Sequence, residues 1–573
     1  MAFAIFPRYK DIYEGETPSV TELLSDIPSV FTISAACYIN SEKYLNFLDV
    51  KVDNRLFHFL IERLSFETQK GLDGKMEDLY NRSTARGSQF TIFPILSMLR
   101  LIEHEIINFK QGEFVNVTKE QEEQFLKAIL VFNEIEEKEY VAQAKKVDTT
   151  GELDTLVKWV WTNLLPSMEF QGRKEILLPL HYSISFFKYL DSNKKFKPFL
   201  ADYYKKNNVS GHVEFLRNLF AFYFQGFNKQ EERFHFRANS SILRVNSVIG
   251  EYILDISSFE QKTLSANFKQ LREKPIIKFP DGNLFITNWN FFVDKYYQAQ
   301  KFDFFNKTGV SELYKGNENQ KFQAFNGEVG LDFIEKKIFN DTMIRYLSQA
   351  GGTIILEDKS KGWNQDLYYR FDNHICFIEF KSVGLPISND FEEIKKSVDD
   401  EGKVKKAVVQ LKNQIEKLSQ NIDRFEKMTQ QGYTKERLII YPCIVYTDIA
   451  WSMYGINEYF NRLFKEEIKG KDCGFFSIED LVMIHIDFFF NYERIFLEDK
   501  ISLHTVFHKH SAQRAIFAEL FKRNGDVVAG IKKYANSDFY LSNAYPNKTK
   551  EVFESSLFES VLGDLGISSK VDN

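Results

Sequence analysis

Nine consecutive residues, Leu438-Ile439-Ile440-Tyr441-Pro442-Cys443-Ile444-Val445-Tyr446, carry no charge and little polarity. The length suits a β-strand. A strand without polar alternation is buried on both faces, as in the centre of a parallel or mixed sheet. Whatever surrounds it must therefore supply a layer on each side. The preceding residues offer candidates. Gly327 to Leu347 reads as an amphipathic helix with Val329, Phe333, Ile338 and Leu347 near one stripe, ended by Gly351-Gly352. Thr353 to Glu357 reads as a strand, and two further short strands follow. Phe391 to Met428 reads as a long charged helix with an interruption expected near Gly402. The order is α-β-β-β-α-β.

The two short strands flank Asp372-Asn373, residues that tolerate the left-handed conformations of tight hairpin turns. A symmetric hairpin about that turn pairs positions whose numbers sum to 745, so Phe371 faces His374 and Asp366 faces Glu379. Side chains alternate along a strand, which puts Glu379 and Lys381 on one face and turns Phe380 to the other. Asp366 and Glu379 then stand roughly 5 Å apart at Cβ. Opposed carboxylates repel unless a cation lies between them. The ordinary reading of alternating acid and Lys residues is a solvated sheet face. Against it stand the acid at the paired position and the apolar run Ile375-Cys376-Phe377-Ile378 that enters the motif.

With Asp at the start of the second strand, twelve intervening residues and then Glu379-Phe380-Lys381 on the third, the segment resembles the PD-(D/E)XK, or restriction-endonuclease-like, nuclease superfamily. The resemblance covers roughly residues 322 to 490, the C-terminal third only; Gln365 stands where the family carries Pro. It implies that Asp366, Glu379 and the Phe380 carbonyl bind Mg²⁺ or Mn²⁺, and that Lys381 orients or helps to deprotonate the attacking water. Family members often carry a further acid on the preceding helix, which Glu335 or Glu328 matches, and a Gln on the following helix, which Gln410 or Gln414 matches. Phe476 to Leu481, read as a capped helix start, is similar to the end of such domains.

Elsewhere the chain reads as helical from residue 1 to about 235, with helical spacing at Leu56–Leu64, Ile92–Phe109, Glu120–Ile135, Leu153–Leu165, Leu177–Leu190 and Val213–Phe224. Residues 236–320 mix strands and helices: Ile242–Val245 and Tyr252–Ile256 suggest strands. Pro280-Asp281-Gly282-Asn283 turns a hairpin, Asn288 to Phe305 suggests helix, and Lys315 to Gln320 suggests a linker. The expected division is a helical scaffold or recognition region at 1–235, a mixed α+β region at 236–320, a nuclease domain at 321–490 and a helical extension at 491–573. A length of 573 residues accommodates that many units.

Charge and composition narrow the partners. A net charge of −6 excludes a uniformly basic nucleic-acid coat, so nucleic acid must be met by local patches. One candidate runs from Lys403 to Arg437, where nine basic residues stand against four acidic ones. Lys403, Lys405, Lys406 and Lys412 are the expected phosphate contacts; a solvated helix face is the plainer reading. The four cysteines are scattered without C-x-x-C, and Cys376 and Cys443 read as buried thiols, which fits a reducing cytoplasm. The N-terminus lacks a signal-peptide layout, no apolar run reaches 18 residues, and no P-loop or fixed-period repeat is present. His504 and His508, one helical turn apart, have zinc-like spacing without an accompanying Glu. Trp363 could stack on a base or cover the end of the sheet. His485-Ile486-Asp487 alternates like a strand face and suggests no chemistry.

The expectation is a cytoplasmic, Mg²⁺- or Mn²⁺-dependent endonuclease acting on DNA, with the role of a prokaryotic restriction or anti-phage defence effector. A protein partner or second copy would dock on the N-terminal helices, and no membrane is expected. An RNase of the same fold, or a silent nucleic-acid- or partner-binding protein, is the alternative.

Overall fold

The computed structural model describes residues 4–47, 49, 51–85, 89–110, 117–145, 153–154, 157–158, 160–161, 174–231, 247–259, 262–264, 267–280, 282–358, 363–385, 391–400, 404–422, 438–470, 476–524, 532–546 and 555–567. The chain is mostly helical, with its largest sheet in the C-terminal half. No described helix is long and apolar enough to cross a membrane.

The helices of the N-terminal region include α1 (Ser29–Leu45), α2 (Ile95–Ile107) and α3 (Lys119–Lys145). Their apolar stripes close a core with Phe31, Ile39, Leu99, Ile102, Phe125 and Ile129 fully or almost fully buried. Next come α4 (Leu177–Ser192) and α5 (His212–Glu231), which belong to a second core. A small sheet joins the two. Its strands are β1 (Ile253–Asp255), β2 (Ile276–Lys278) and β3 (Leu284–Ile286), with β1 parallel and β3 antiparallel to β2. Alternation sends Ile276, Leu284 and Ile286 into the second core and Ile277 and Phe285 into the first. The hairpin expected around Gly282 is present, and Gly282 adopts φ +87°. The strand expected at 242–245, and most of the helix expected at 153–165, lie outside the described residues.

Of residues 315–320, only 315–317 form a loop; Glu318 already begins a helix. Asn317 caps the helix α6 (Glu318–Val329), its side chain accepting from Gln320 N–H while Gln320 reaches back to the Asn317 N–H. The helix continues through a π-helical stretch, Gly330–Phe339, into α7 (Asn340–Leu347). Gly351 and Gly352 end it with positive φ; a Cβ on Gly352 would stand 2.5 Å from the Arg370 carbonyl oxygen.

The main sheet contains β4 (Thr353–Asp358), β5 (Trp363–Phe371), β6 (His374–Lys381) and β7 (Leu438–Tyr446). Two short strands, β8 (Phe476–Ile478) and β9 (Val482–His485), both pair with β7. The order β8-β7-β6-β5-β4 is antiparallel from β4 to β6 and parallel from β6 onward. Between β6 and β7 run α8 (Phe391–Asp399) and α9 (Val404–Gln420), two helices where one was expected. Residues 401–403 and 423–437 lie outside the described set. The segment expected to start a helix at 476–481 instead forms β8, with Glu479 N–H donating to the Ile440 carbonyl at 2.9 Å.

Both faces of the sheet are covered, as the apolar run of β7 requires. Cys376, Ile378, Phe380, Cys443 and Val445 pack with the helices of residues 318–347, while Ile375, Phe377, Ile440, Ile444 and Tyr446 pack with α8, α9 and α10 (Ile456–Ile468). The thiols of Cys376 and Cys443 are buried, as anticipated. Helix α11 (Leu503–Asn524) follows the sheet. Helix α12 (Ser556–Asp564) then returns to the N-terminal half, where Lys188 pairs with Asp564 at 2.7 Å and Arg217 Nε donates to the Leu565 carbonyl at 2.6 Å.

Candidate active site

The hairpin of β5 and β6 has the register computed from its turn. Phe371 pairs with His374 and Leu367 with Ile378, and Asp372 takes φ +50° at the turn. The backbone pairing ends at Leu367 and Ile378, one step short of Asp366 and Glu379, whose side chains are near enough to interact by charge. Asp366 Oδ2 accepts the Phe380 N–H at 2.7 Å, and the Asp366 carboxyl acts on Glu379 through its charge.

Glu379 is fully buried. Burial first, and the neighbouring Asp366 second, hold its carboxyl well above the usual carboxylate range. Lys381 Nζ lies 3.6 Å from Glu379 Oε2 and opposes that shift. Gln414 Nε2 donates to Glu379 Oε1, and Lys381 Nζ reaches Gln410 Oε1 at 3.4 Å. Gln410 and Gln414 are one turn apart on α9, so a single helical stripe holds both the acid and the base of the strand. Glu379 Oε2 nevertheless has no hydrogen-bond partner among the described residues. An acceptor left so in a buried place costs about 1–3 kcal/mol, more when charged.

The opposite layer supplies Glu335. Its Oε1 accepts from Ser382 Oγ at 3.3 Å, and burial raises its carboxyl above the ordinary value, with Lys381 opposing and Asp366 reinforcing. Glu328 is elsewhere: its Oε2 meets Lys195 Nζ at 2.5 Å and the Tyr314 hydroxyl at 2.7 Å. Seven positions apart, Glu328 and Glu335 would share one face of a regular α-helix, but the π-helical stretch between them breaks that relation. Its wider turns advance each residue by a smaller angle than an α-helix does, so seven positions no longer return to one face. A Cβ on Gly330 would touch Ser382 Oγ at 3.0 Å, so this helix and the end of β6 approach closely. Phe339 stacks on Phe380 at 4.5 Å with a 5° interplanar angle and fastens the two, a contact worth about 1 kcal/mol beyond its area.

Lys405 and Lys412 are half-buried on α9, Lys412 beside Glu416 at 3.8 Å, and Lys406 is exposed one turn before Gln410. Lys403 and the side chain of Trp363 lie outside the described residues. The His504 ring stacks on His374 at 3.9 Å and 5°, and it shares a hydrogen bond with Ser502 Oγ at 2.9 Å. Among the described residues no group of three or more His, Cys, Asp and Glu side chains is placed to hold a metal ion. The hairpin can offer two carboxylates and a backbone carbonyl, a hard-oxygen set of the kind that binds Mg²⁺ with water and phosphate completing the shell.

Sequence reading passed over Ser382 and Lys301. Ser382 directly follows the motif, and only the tertiary approach of Glu335 reveals its use. Lys301, on the helix Gln298–Lys307 of the middle region, has its ammonium pushed down to about 8 by burial and is opposed by Asp448, just past β7. The chain matches no family model, no curated protein and no solved structure.

Proposed function

We propose that the chain is a divalent-metal-dependent nuclease of the restriction-endonuclease-like type, with DNA as its substrate and the hairpin end as its active site. One observation carries the reading: a buried Glu379, close enough to Asp366 to feel its charge, keeps an oxygen without a hydrogen bond beside the Lys381 ammonium. Evolution of a merely structural sheet end would favour an apolar pair there, because replacing one costly buried acid removes both repulsion and desolvation. The α-β-β-β-α-β order around it supports the same fold type.

Asp366, Glu379 and the Phe380 carbonyl would hold Mg²⁺ or Mn²⁺. The bound ion would supply a water of lowered pKa and charge neutralisation at the phosphate. Lys381 would orient the attacking water and meet the negative charge that develops on the phosphoryl oxygens. Gln410 and Gln414 would fix the rotamers of Lys381 and Glu379, and Glu335 with Ser382 would brace the other side. The strip from exposed Lys406 to Gln410 leads toward the site and gives the phosphate backbone a path.

The test is incubation of the purified protein with supercoiled plasmid, single-stranded DNA and RNA, each with Mg²⁺, Mn²⁺ or EDTA. Metal-dependent nicking of DNA is expected. RNA cleavage alone would shift the substrate while keeping the site. Cleavage that persists in EDTA would overturn the metal-dependent reading.

A further inference from the structure

One lysine at the edge of the main sheet comes from another part of the chain. Lys301 lies on the helix Gln298–Lys307 of the middle region, outside the α-β-β-β-α-β core. It is half-buried. Among the described residues its Nζ makes no hydrogen bond and no ion pair, and it keeps accessible surface. Its aromatic neighbour is Tyr297, whose ring centroid is 5.8 Å from Nζ. A lysine drawn into a protein ordinarily donates to carbonyls or carboxylates. Lys295 on the same segment does so, donating to the Arg272 and Glu273 carbonyls at 2.6 and 2.9 Å. Lys301 has no such acceptors.

Neighbouring contacts locate the ammonium. The Tyr297 ring lies 5.9 Å from the ring of Phe333, which precedes Glu335 in the π-helical stretch. The charge that acts on Lys301 is that of Asp448, just past the end of β7. A Cβ on Gly384 would collide with Asp448 Oδ2, so Asp448 sits beside the segment that leaves β6 after Lys381. Trp451 Nε1 donates to the Val383 carbonyl at 2.6 Å and ties the same two segments together. Lys301 therefore stands near the carboxyl ends of β6 and β7, on the side of the sheet that carries Glu335. The crevice outside the carboxyl ends of parallel strands is where such sheets take their ligands.

This edge is rich in acid. Asp366, Glu379, Glu335 and Asp448 stand there with Lys381, and a polyanion approaching them needs further cations. Asp448 makes no ion pair with Lys301; its Oδ1 accepts the Ala450 N–H at 2.9 Å. Burial pushes the Lys301 ammonium down to about 8, which leaves it mostly protonated near neutrality. A phosphate would give this charge the acceptors it lacks, through charge-assisted hydrogen bonds.

We infer that Lys301 binds a backbone phosphate of the DNA strand lying in the hairpin site, beside the phosphate that Lys381 meets. This rests on the nuclease reading above and makes the middle region part of the substrate path. A free nucleotide offers the same phosphate chemistry. DNA is favoured because the ammonium shares its edge of the sheet with Lys381 and Glu335.

Lys301→Met keeps the aliphatic stem, removes the charge and tests this in the full chain. Anisotropy of a labelled duplex in EDTA should show about tenfold weaker binding, and the slope of log binding against log salt should fall by up to about 0.9. In plasmid nicking with Mg²⁺, KM should rise about tenfold with kcat within about twofold, as for a contact made before and during the transition state. The melting temperature should stay level or rise, because a charge without acceptors is removed; a lysine retained for structure would lower it. If this variant fails to fold, Lys301→Gln takes its place with the same readouts. Unchanged DNA affinity and KM in a protein that cuts would overturn the role of Lys301 and leave the nuclease reading standing. Weakened DNA binding by Lys301→Met, with a wild type that cuts nothing in Mg²⁺ or Mn²⁺, would support the contact and overturn the nuclease reading. Titration with ATP in EDTA separates the two phosphate sources. An ATP affinity lowered by the substitution, with DNA binding unmoved, would assign the ammonium to a free nucleotide and overturn the inference.

Discussion

The two ends of one hairpin bury titratable groups in opposite ways. At the turn end, His374 and His504 stack, with the Tyr441 hydroxyl 3.2 Å from His374 Nδ1 and Asp372 and His508 nearby. Burial pushes both imidazoles down, His504 to about 4, which favours the neutral rings that stack there. At the open end, Glu379 is deeper, meets Asp366, and leaves an acceptor unfilled beside Lys381. Burial is common to both. An unfilled acceptor between an acid and a base belongs to the open end, and that end is the one with a chemical use.

The contrast can be broken at either end. The largest effect is expected from Lys381→Ala, which should reduce DNA cleavage by about 10²–10³-fold in a nicking assay, the scale of losing one group that stabilises developing charge. His504→Ala should leave cleavage within about twofold; an equal loss in both variants would erase the distinction. Glu335→Gln should lower cleavage by about tenfold, whereas Glu328→Gln, whose partner is Lys195, should not change it; the reverse ranking would show that the π-helical stretch was given the wrong role. Lys406→Ala with Lys412→Ala should lower the slope of log binding against log salt by up to about 0.9 for each phosphate left without its cation. An unchanged slope leaves α9 with a solvated face only.

The smallest effect concerns pH at the turn end. His504 has a folded pKa near 4 against an ordinary 6.5, so the unfolded chain takes up the proton first as pH falls. Stability contributed by the neutral ring is complete above 6.5 and declines between 6.5 and 4. His504→Phe keeps an aromatic stack without a titrating group. Its melting temperature should fall less than the wild type's between pH 7 and 5, and an identical fall would remove the histidine pair from the account.

Much of this arrangement is legible in the residues alone. Asp372-Asn373 marks a turn, the strand period is two, and together they set the register as far as Leu367 with Ile378, which brings the side chains of Asp366 and Glu379 near each other. The apolar run 438–446 required a covered sheet, and two cores divide its alternate residues. What failed was context. Ser477-Ile478-Glu479-Asp480 spells a capping box, yet pairing with Leu438–Ile440 draws the segment into a strand, since tertiary contacts override local preference. Glu328 and Glu335 look equivalent at α-helical spacing, and nothing in the residue pattern announces π-helical turns between them. The use of Ser382 depends on a helix arriving from forty-seven positions upstream.

The most direct measurement pairs activity with stability in a single variant, Glu379→Gln. A neutral amide of nearly the same shape removes the repulsion from Asp366 and keeps the contact from Gln414 only in altered form. The account expects metal-dependent nicking to disappear while the melting temperature stays level or rises, the signature of a group retained for chemistry at the expense of stability. Wild-type cleavage by Glu379→Gln, or loss of cleavage explained by a collapsed melting temperature, would contradict it.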